Sequence, residues 1–283
     1  KGFQAAAVEA QKAIDAAKAG GDAADAKAKL EAARAVIESP DDRMMYGSLA
    51  IGLGGFLKDN PIQIAGLRAM IDSGKADPAQ LPRYHYFVGA LSYEAKDYAT
   101  AQSELQAAIS AGHTADNAEA LLAETYLADN KPQQALAVLK TAIDRQSASG
   151  TPAPEAWYRR GLGAAYDANQ FADANSFASA LVKAYPSPKN WGTALAVLRS
   201  VAKFQPQESL DLMRLMDRTN SWTEERDFIE YIEAADARRL PGEVLRIIQI
   251  GTTSGKLRAG DAFVNDARSV ANGRLAADKA SLA

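Results

Sequence analysis

Few residues in this chain could carry out catalytic or metal chemistry. It contains two histidines, His85 and His113, and no cysteine. The lack of cysteine excludes disulfides, thiolate metal sites and a thiol nucleophile, and two histidines nearly exclude triads and multi-histidine metal sites. His85 lies among aromatic residues and is interpreted as a hydrogen-bonded packing residue. His113 follows a glycine at a turn and is interpreted as a surface or capping residue, so neither a metal nor a cofactor is expected.

Two further patterns that occur in enzyme sites have structural explanations here. The carboxylate pairs Asp41-Asp42 and Glu224-Glu225 lie near the starts of predicted helices, where the helix dipole stabilises negative charge. The run GLGG at 52–55 has neither the preceding strand nor the spacing of a phosphate-binding loop. We therefore expect no catalytic site and predict that the protein is not an enzyme.

The composition predicts an all-α protein. Alanine accounts for 60 of the 283 residues, and it is the strongest helix former because it loses no side-chain rotamer freedom. Alternating β-branched runs bounded by Asn-Gly or Asp-Gly turns are absent. The hydrophobic share of 47% is sufficient for a buried core. The net charge of −3 gives no strong positive field, so no nucleic-acid partner is expected.

The sequence also bears on the membrane and the compartment. No apolar stretch reaches ~18 residues, so no transmembrane segment is expected. The apolar, glycine-rich segment from Tyr46 to Leu57 is shorter and is interpreted as a buried helix with close neighbours. The chain starts at Lys1 rather than Met and lacks cysteine. Both features favour a periplasmic or secreted protein over a cytoplasmic one.

Helix start and stop signals recur along the chain at intervals that are typical of paired helices. The connecting loops are short, so consecutive helices are expected to be antiparallel neighbours. The signals predict helices over 2–19, 22–38, 42–58, 61–73, 80–96, 98–111, 115–129, 132–147, 154–169, 171–185, 189–203, 206–218, 223–239, 241–253 and 260–277.

An internal repeat is clearest in YHYFVGALSYEAKDYATAQSELQAAI (84–109) and in the next segment, AEALLAETYLADNKPQQALAVLKTAI. Each has a small residue in its first helix and spaced small and large residues in its second. These residues are Gly89, Ala101, Leu105 and Ala108, and then Ala123, Ala135, Leu139 and Ala142. Small side chains let the paired helices cross closely while large ones fill the adjacent space. The pattern resembles the tetratricopeptide repeat (TPR) family.

Three later segments resemble the family less closely. In the third, Gly163 precedes Ala174 by eleven residues rather than twelve, which predicts a turn that is one residue shorter. The fourth begins at Trp191 and the fifth surrounds Pro241. Their second helices carry the apolar residues Leu210, Met213 and Met216, and then Val244, Ile248 and Gly251. The resemblance covers roughly 80–255, and the predicted organisation is N-terminal helix pairs over 1–78, repeats over 79–255 and a C-terminal capping helix over 256–283.

The resemblance implies a right-handed α-solenoid whose concave groove binds a protein or peptide partner. In this family the first helix of each pair lines the groove, at fixed offsets from its small residue. Applying those offsets around Gly89, Ala123, Gly163, Val197 and Ile232 gives a set of candidate groove residues. The candidates are Arg83, Tyr86, Tyr93, Asn117, Glu124, Trp157, Arg160, Trp191 and Arg226.

The side-chain types in this set suggest what the groove binds. Aromatic residues and arginines often anchor interfaces, and arginine can grip a carboxylate with two hydrogen bonds. The set therefore motivates the hypothesis of a peptide or ligand with an acidic group and an apolar part. Replacing Trp157 and Arg160 is expected to weaken its binding. The alternative interpretations are inter-repeat packing for the tryptophans and solvated salt bridges for Arg160 and Arg226.

Three functions are compatible with the sequence. The first is a non-enzymatic scaffold that holds a partner segment in an open, polar-rimmed groove. The second is a small-molecule carrier, for which a closed apolar pocket of several hundred Å³ is expected. The third is a homo-oligomeric scaffold with a large exposed apolar patch at one end of the stack.

Overall fold

The computed structural model describes residues 2–281, and over that range the chain is helical, with 15 α-helices and no strand. Their ends differ from the predicted ranges by at most four residues, so the all-α prediction is confirmed. None of these helices combines the length and the apolar composition needed to cross a membrane. The helices are α1 (Gly2–Lys18), α2 (Ala23–Arg34), α3 (Pro40–Leu57), α4 (Asn60–Asp72), α5 (Leu81–Glu94), α6 (Tyr98–Ser110), α7 (Ala118–Ala128), α8 (Pro132–Ala148), α9 (Glu155–Asp167), α10 (Phe171–Ala184), α11 (Pro188–Val201), α12 (Pro206–Arg218), α13 (Glu225–Ala235), α14 (Pro241–Thr253) and α15 (Ala262–Ser281).

Local residue choices set where the helices begin. Five helices start with a proline, which lacks the N–H that would be unpaired there and has a helical φ. Side chains of other residues accept hydrogen bonds from the first turn: Ser39 forms a capping box with Asp42, and Asp59 and Asp97 cap α4 and α6. These caps explain why the start signals predicted the helices well.

The chain divides into two compact units, the first ending at Ser149 and the second beginning at Gly150. Unit 1 contains α1 to α8, which pack as the consecutive pairs α1–α2, α3–α4, α5–α6 and α7–α8. The second helix of each pair also packs against the first helix of the next, and α1 contacts α3 as α5 contacts α7. The predicted division at residues 78 and 255 stays a prediction.

The first two repeats cross as their small residues predicted. An ideal Cβ on Gly89 would lie 2.6 Å from Leu105 Cγ and 3.1 Å from its backbone nitrogen, so α5 and α6 approach closely only because residue 89 is a glycine. Ala123 and Leu139, at the corresponding places in α7 and α8, are buried. Across α5 and α6, His85 Nδ1 also lies 2.6 Å from Glu104 Oε2, which fits its predicted role as a hydrogen-bonded packing residue.

A close approach of two backbones in unit 1 joins α3 and α4. A Cβ on Gly66 would lie 2.8 Å from the carbonyl oxygen of Gly47 and 3.0 Å from the nitrogen of Ile51. A Cβ on Gly47 would lie 2.7 Å from the carbonyl oxygen of Gly66. The predicted close neighbours of the segment from Tyr46 to Leu57 are therefore present.

Unit 2 contains α9 to α15 and has its own apolar core. Trp222 stacks on Phe228, with ring centroids 4.4 Å apart, and on Tyr231 at 5.8 Å. The predicted apolar positions of the fourth and fifth segments all lie in this core or against it: Leu210, Met213, Met216, Val244, Ile248 and Gly251 are buried.

The turn of the third repeat is not shorter than those of the first two, so that prediction is wrong. The inter-helix turns comprise residues 95–97, 129–131 and 168–170, and each has a left-handed residue in its middle: Lys96, Asn130 and Asn169. The same backbone hydrogen bond closes each turn, and in the third it runs from Gln170 N to Ala165 O at 2.8 Å. Counted from this turn, Leu162 rather than Gly163 occupies the place of Gly89.

The third repeat has its large and small side chains on the opposite helices from the first repeat, which explains why the sequence pattern placed Gly163 at the wrong position. In the first repeat the first helix contributes glycine and the second contributes Leu105. At the equivalent places of the third repeat, α9 contributes Leu162 and α10 contributes Ala178, and both are buried. The large residue has therefore moved to the other helix. The glycine that contacts α10 is Gly161, whose Cβ would lie 2.4 Å from a ring carbon of Phe177.

Two substitutions in α9 test this register. Gly161→Ala is expected to destabilise unit 2 by about 1–3 kcal/mol, because the added methyl group overpacks against the buried Phe177 ring. Gly163→Ala is expected to stabilise it by about 0.5–1 kcal/mol, because no atom lies within 4 Å of the added Cβ and alanine favours the helix. Denaturant unfolding of both variants measures the two changes. If Gly163→Ala destabilised the unit and Gly161→Ala did not, the result would support the alignment in which Gly163 takes the place of Gly89.

Candidate partner-binding surface

The first helices of unit 1 carry large apolar side chains that no part of this unit covers. Val8 in α1 is 53% exposed, Met45 and Phe56 in α3 are 52% and 47% exposed, and Phe87 in α5 is 36% exposed. Within the described residues, the second helices α2, α4, α6 and α8 have no exposed large apolar side chain. Contiguous exposed apolar patches are typical of interaction surfaces, so these helices are the candidate surface of unit 1. We call these residues of α1, α3 and α5 the first-helix surface.

A groove between α1 and α3 forms part of this surface. Its volume is about 840 Å³, and Val8, Met44, Met45 and Leu49 contribute its apolar lining. Polar residues also line the groove, namely Gln4, Gln11, Asp41 and Ser48. The methionines are unbranched and polarisable, so they can adapt to partner side chains of different shapes.

A cluster of aromatic and charged residues lies at the start of α5. The Arg83 guanidinium lies 5.3 Å from the centre of the Phe87 ring, and the Tyr86 ring contacts the same ring edge-on at 5.5 Å. Tyr86 also stacks on His113, with centroids 4.8 Å apart, and its hydroxyl donates to the carbonyl oxygen of Asp116 at 3.3 Å. Burial, and secondarily the Asp116 carboxylate, raises the pKa of Tyr86. Two predicted site residues, Arg83 and Tyr86, therefore both contact the Phe87 ring.

The position of His113 differs from its predicted surface or capping role. Its side chain is largely buried under Tyr86, and its Nε2 makes no aligned hydrogen bond with any described residue. The Asp116 carboxylate oxygen lies 3.3 Å from this nitrogen. The stacking partner was not apparent from the sequence because Tyr86 and His113 are separated by all of α6.

The other predicted site residues of unit 1 lie further along its first helices. Tyr93 is half-buried and contacts Tyr98 across the α5–α6 turn, with ring centroids 6.1 Å apart. Asn117 is exposed and precedes α7 with a left-handed φ of 54°, and its side chain forms no capping hydrogen bond. Glu124 is half-buried in the middle of α7.

The corrected register changes the candidates of the third repeat. Trp157 is half-buried and Arg160 is exposed, but each lies one residue beyond the place that corresponds to Arg83 or Tyr86. The corresponding residues are Ala156 and Arg159, and Arg159 Nε donates to Glu155 Oε1 at 3.0 Å. The correction follows from the equal turn lengths described above.

The two remaining candidates, Trp191 and Arg226, lie in unit 2. Trp191 packs against the core of the unit. Arg226 donates from Nε to Glu230 Oε1 at 2.5 Å and lines a cavity of about 390 Å³. Arg199 and Glu224 also line this cavity, and Glu230 bonds both arginines, so the local charge is balanced. Residues 2–281 contain no group of three or more His, Asp or Glu side chains placed to hold a metal ion.

Sequence reasoning missed the N-terminal part of the first-helix surface. The sequence indicates a buried helix with close neighbours from Tyr46 to Leu57, but Phe56 within this segment is 47% exposed. Met45, the residue just before the segment, is 52% exposed. A signal was available in the sequence, because the pair Lys58-Asp59 repeats the pair Lys96-Asp97. In the structure both lysines have a left-handed φ and both aspartates cap the next helix. Counted back from that turn, Met45 and Phe56 take the places of Arg83 and Glu94.

Comparison with known proteins gives a match at the level of fold. No protein-family model and no curated protein matches the chain. A chain of the Naa15/Naa10 structure bound to HypK-THB is 13% identical, covers 94% of this chain and has a TM-score of 0.55. This chain spans 45% of that chain's length. Apo RapI is 10% identical, and the match covers 90% of this chain and 82% of RapI with a TM-score of 0.44. The TPR2AB domain of yeast Sti1 in complex with pHSP90 is 12% identical, and the match covers 95% of this chain and 98% of that domain with a TM-score of 0.38.

Proposed function

We propose that this chain, a tetratricopeptide-like α-solenoid, is a non-enzymatic scaffold that binds a protein or peptide segment on its first-helix surface. The observation that carries the proposal is the restriction of exposed large apolar side chains in the helices of unit 1 to α1, α3 and α5. Leaving these side chains exposed has a cost that a bound segment would remove, because each buried apolar side chain gains about 1.5–3 kcal/mol. Naa15/Naa10, which is similar in fold, is itself a protein complex bound to HypK-THB.

The chemistry of the surface indicates the kind of segment. The α1–α3 groove accepts apolar side chains, and the Arg83 guanidinium over Phe87 offers a cation beside an aromatic face. A segment with apolar residues and an acidic group is complementary to both. Arg83, Tyr86, Tyr93, Asn117 and Glu124 stay proposed contacts of this segment. For unit 2, Trp157, Arg160, Trp191 and Arg226 stay proposals as well.

Selection of peptides from a random display library tests the proposal. Selected peptides are expected to combine apolar and acidic residues and to bind with a Kd that rises about tenfold or more in Met45→Asp, because a charge then lies in the apolar groove. Val36→Asp is the matched control, since Val36 is similarly exposed but lies between α2 and α3. Equal affinities for the two variants, or failure to select any peptide, would contradict the proposal.

A small-molecule carrier is the second candidate function. The observation in its favour is the volume of the α1–α3 groove, because ligand pockets typically measure about 300–1,000 Å³. Native mass spectrometry of protein purified gently from its source distinguishes the candidates. A bound mass of a few hundred daltons supports the carrier, and a co-purifying peptide or protein that Met45→Asp releases supports the scaffold.

A further inference from the structure

A second cavity in unit 1 lies where the end of α2 meets α3 and α4, and it has an excess of positive charge. Its volume is about 540 Å³, and three arginines line it: Arg34, Arg43 and Arg68. Among the described residues that line it, Asp72 is the one acidic residue. The cavity therefore has a net charge of about +2 at neutral pH.

The carboxylates of the protein satisfy these arginines incompletely. The Arg43 guanidinium makes no hydrogen bond or ion pair with any residue in 2–281. Arg34 has one ion pair, at 3.6 Å with Glu31, and both side chains are more than half exposed. Arg68 forms no ion pair within 4 Å among the described residues, and it adds only a small contribution to the lowered pKa of Asp97, which hydrogen bonds from Thr100 chiefly cause.

The hydroxyl of a tyrosine whose ring is buried adds a directional donor to this cavity. Tyr46 is 2% exposed, lines the cavity, and has no hydrogen-bond partner for its hydroxyl among residues 2–281. Among the described residues, His113 Nε2 is the one fully buried side-chain polar atom without a partner, so the Tyr46 hydroxyl is open to solvent in the cavity and available to a ligand. Burial raises the pKa of Tyr46 above its ordinary value, so the phenol stays protonated at neutral pH and can donate.

The rest of the lining is apolar. Ile37, Pro61, Ile64, Ala65 and Ala69 form walls that offer no hydrogen-bonding side chain. A small, fully hydrated anion would gain nothing from these walls, whereas an anion on an apolar body would remove them from water.

We propose that this cavity binds an oxyanion, a carboxylate or a phosphate, carried on an apolar body. The guanidinium groups of Arg43 and Arg68 pair with the oxyanion, the Tyr46 hydroxyl donates to it, and the apolar walls contact the body. The site is separate from the first-helix surface, because α3 contributes Met45 to that surface and Tyr46 to this cavity.

Titrations with three probes test the site: phenyl phosphate, benzoate and inorganic phosphate, each followed by NMR of the arginine side chains. Phenyl phosphate or benzoate is expected to bind more tightly than inorganic phosphate and to shift the signals of Arg43 and Arg68. The stronger of the first two identifies the oxyanion. Arg43→Gln is expected to weaken that binding about tenfold, as expected for loss of a hydrogen bond between charged groups.

Tyr46→Phe separates a binding role from a structural one. It removes a hydroxyl that has no partner in the described protein, so it is expected to leave the unfolding midpoint unchanged or higher while weakening binding about fivefold to tenfold. Arg218→Gln is the matched control, because it removes one exposed arginine in unit 2 and is expected to change nothing. Unchanged affinity in Tyr46→Phe and Arg43→Gln, equal shifts at all arginines, or no binding at millimolar concentrations would overturn the proposal.

Discussion

Gly66→Ala is expected to destabilise unit 1 by about 3 kcal/mol, at the upper end of the range for overpacking. The added Cβ would lie 2.8 Å from the carbonyl oxygen of Gly47 and 3.0 Å from the nitrogen of Ile51. Both are backbone atoms of α3, so no side-chain rotation relieves the contact. The two helices must separate, and the contacts along their crossing weaken together. Chemical denaturation measures the loss.

The matched control lies in the same helix pair. Gly52→Ala in α3 adds the same methyl group, but the nearest atom, Lys18 Nζ, is 3.9 Å from the new Cβ. This variant is expected to gain about 0.5–1 kcal/mol, since alanine favours a helix over glycine. Similar losses in the two variants would mean that glycine is required for a reason other than the α3–α4 crossing.

Arg199→Met is expected to destabilise unit 2 by about 3 kcal/mol at neutral pH, because it leaves a buried carboxylate without its cation. Asp227 is 1% exposed, and Arg199 Nη1 donates to its Oδ1 at 2.5 Å. Arg199 also pairs with Glu230, and Thr223 donates to Asp227 from its backbone nitrogen at 2.8 Å and from its hydroxyl at 2.7 Å. The methionine keeps the apolar stem and removes the charge.

The loss is expected to depend on pH. Burial alone would raise the pKa of Asp227, but hydrogen bonds from Thr223 and Arg199 hold it below its ordinary value. A lowered folded-state pKa stabilises the fold fully above the unfolded pKa of about 3.9, and that stability is lost as the pH falls through the folded pKa. The difference between Arg199→Met and the wild type should therefore shrink at about pH 3. Denaturation at the two pH values measures it.

Arg246→Met is the matched control for Arg199→Met. Arg246 Nη2 lies 2.6 Å from Asp217 Oδ2 in the same unit, but its side chain is about half exposed. Solvent screens such a pair, so a loss of less than about 1 kcal/mol is expected. A loss in Arg199→Met no larger than this, or one that persists at low pH, would show that Asp227 does not depend on Arg199.

The sequence predicted the helices well because their determinants are local. Capping residues such as Ser39, proline at the first helical position, and left-handed residues such as Lys96 act within a few residues of each helix end. The contact between Gly89 and Leu105 at the α5–α6 crossing was also predictable, because the spacing between the small residue and the leucine can be read directly from the sequence.

The candidate site was harder to predict because it depends on the register of each repeat. In α9, Gly161 and Gly163 are both small, and only the packing partner across the crossing, Phe177, tells which of them faces α10. Similarly, the exposure of Met45 depends on which side α4 covers. A pattern of apolar residues predicts that a helix packs, but not which of its apolar residues remain uncovered.

In the α9–α10 pair the large residue of the crossing lies on the first helix, whereas in the α5–α6 pair it lies on the second. This difference determines which parts of the chain could be interchanged by recombination. Joining α9 to α6 would set Leu162 against Leu105, and joining α5 to α10 would set Gly89 against Ala178. The first chimera would be overfilled and the second would contain a void, and each error is costly. Duplication or grafting of a complete helix pair avoids both errors. The helix pair, rather than the single helix, is thus the smallest modular part that this architecture can inherit intact.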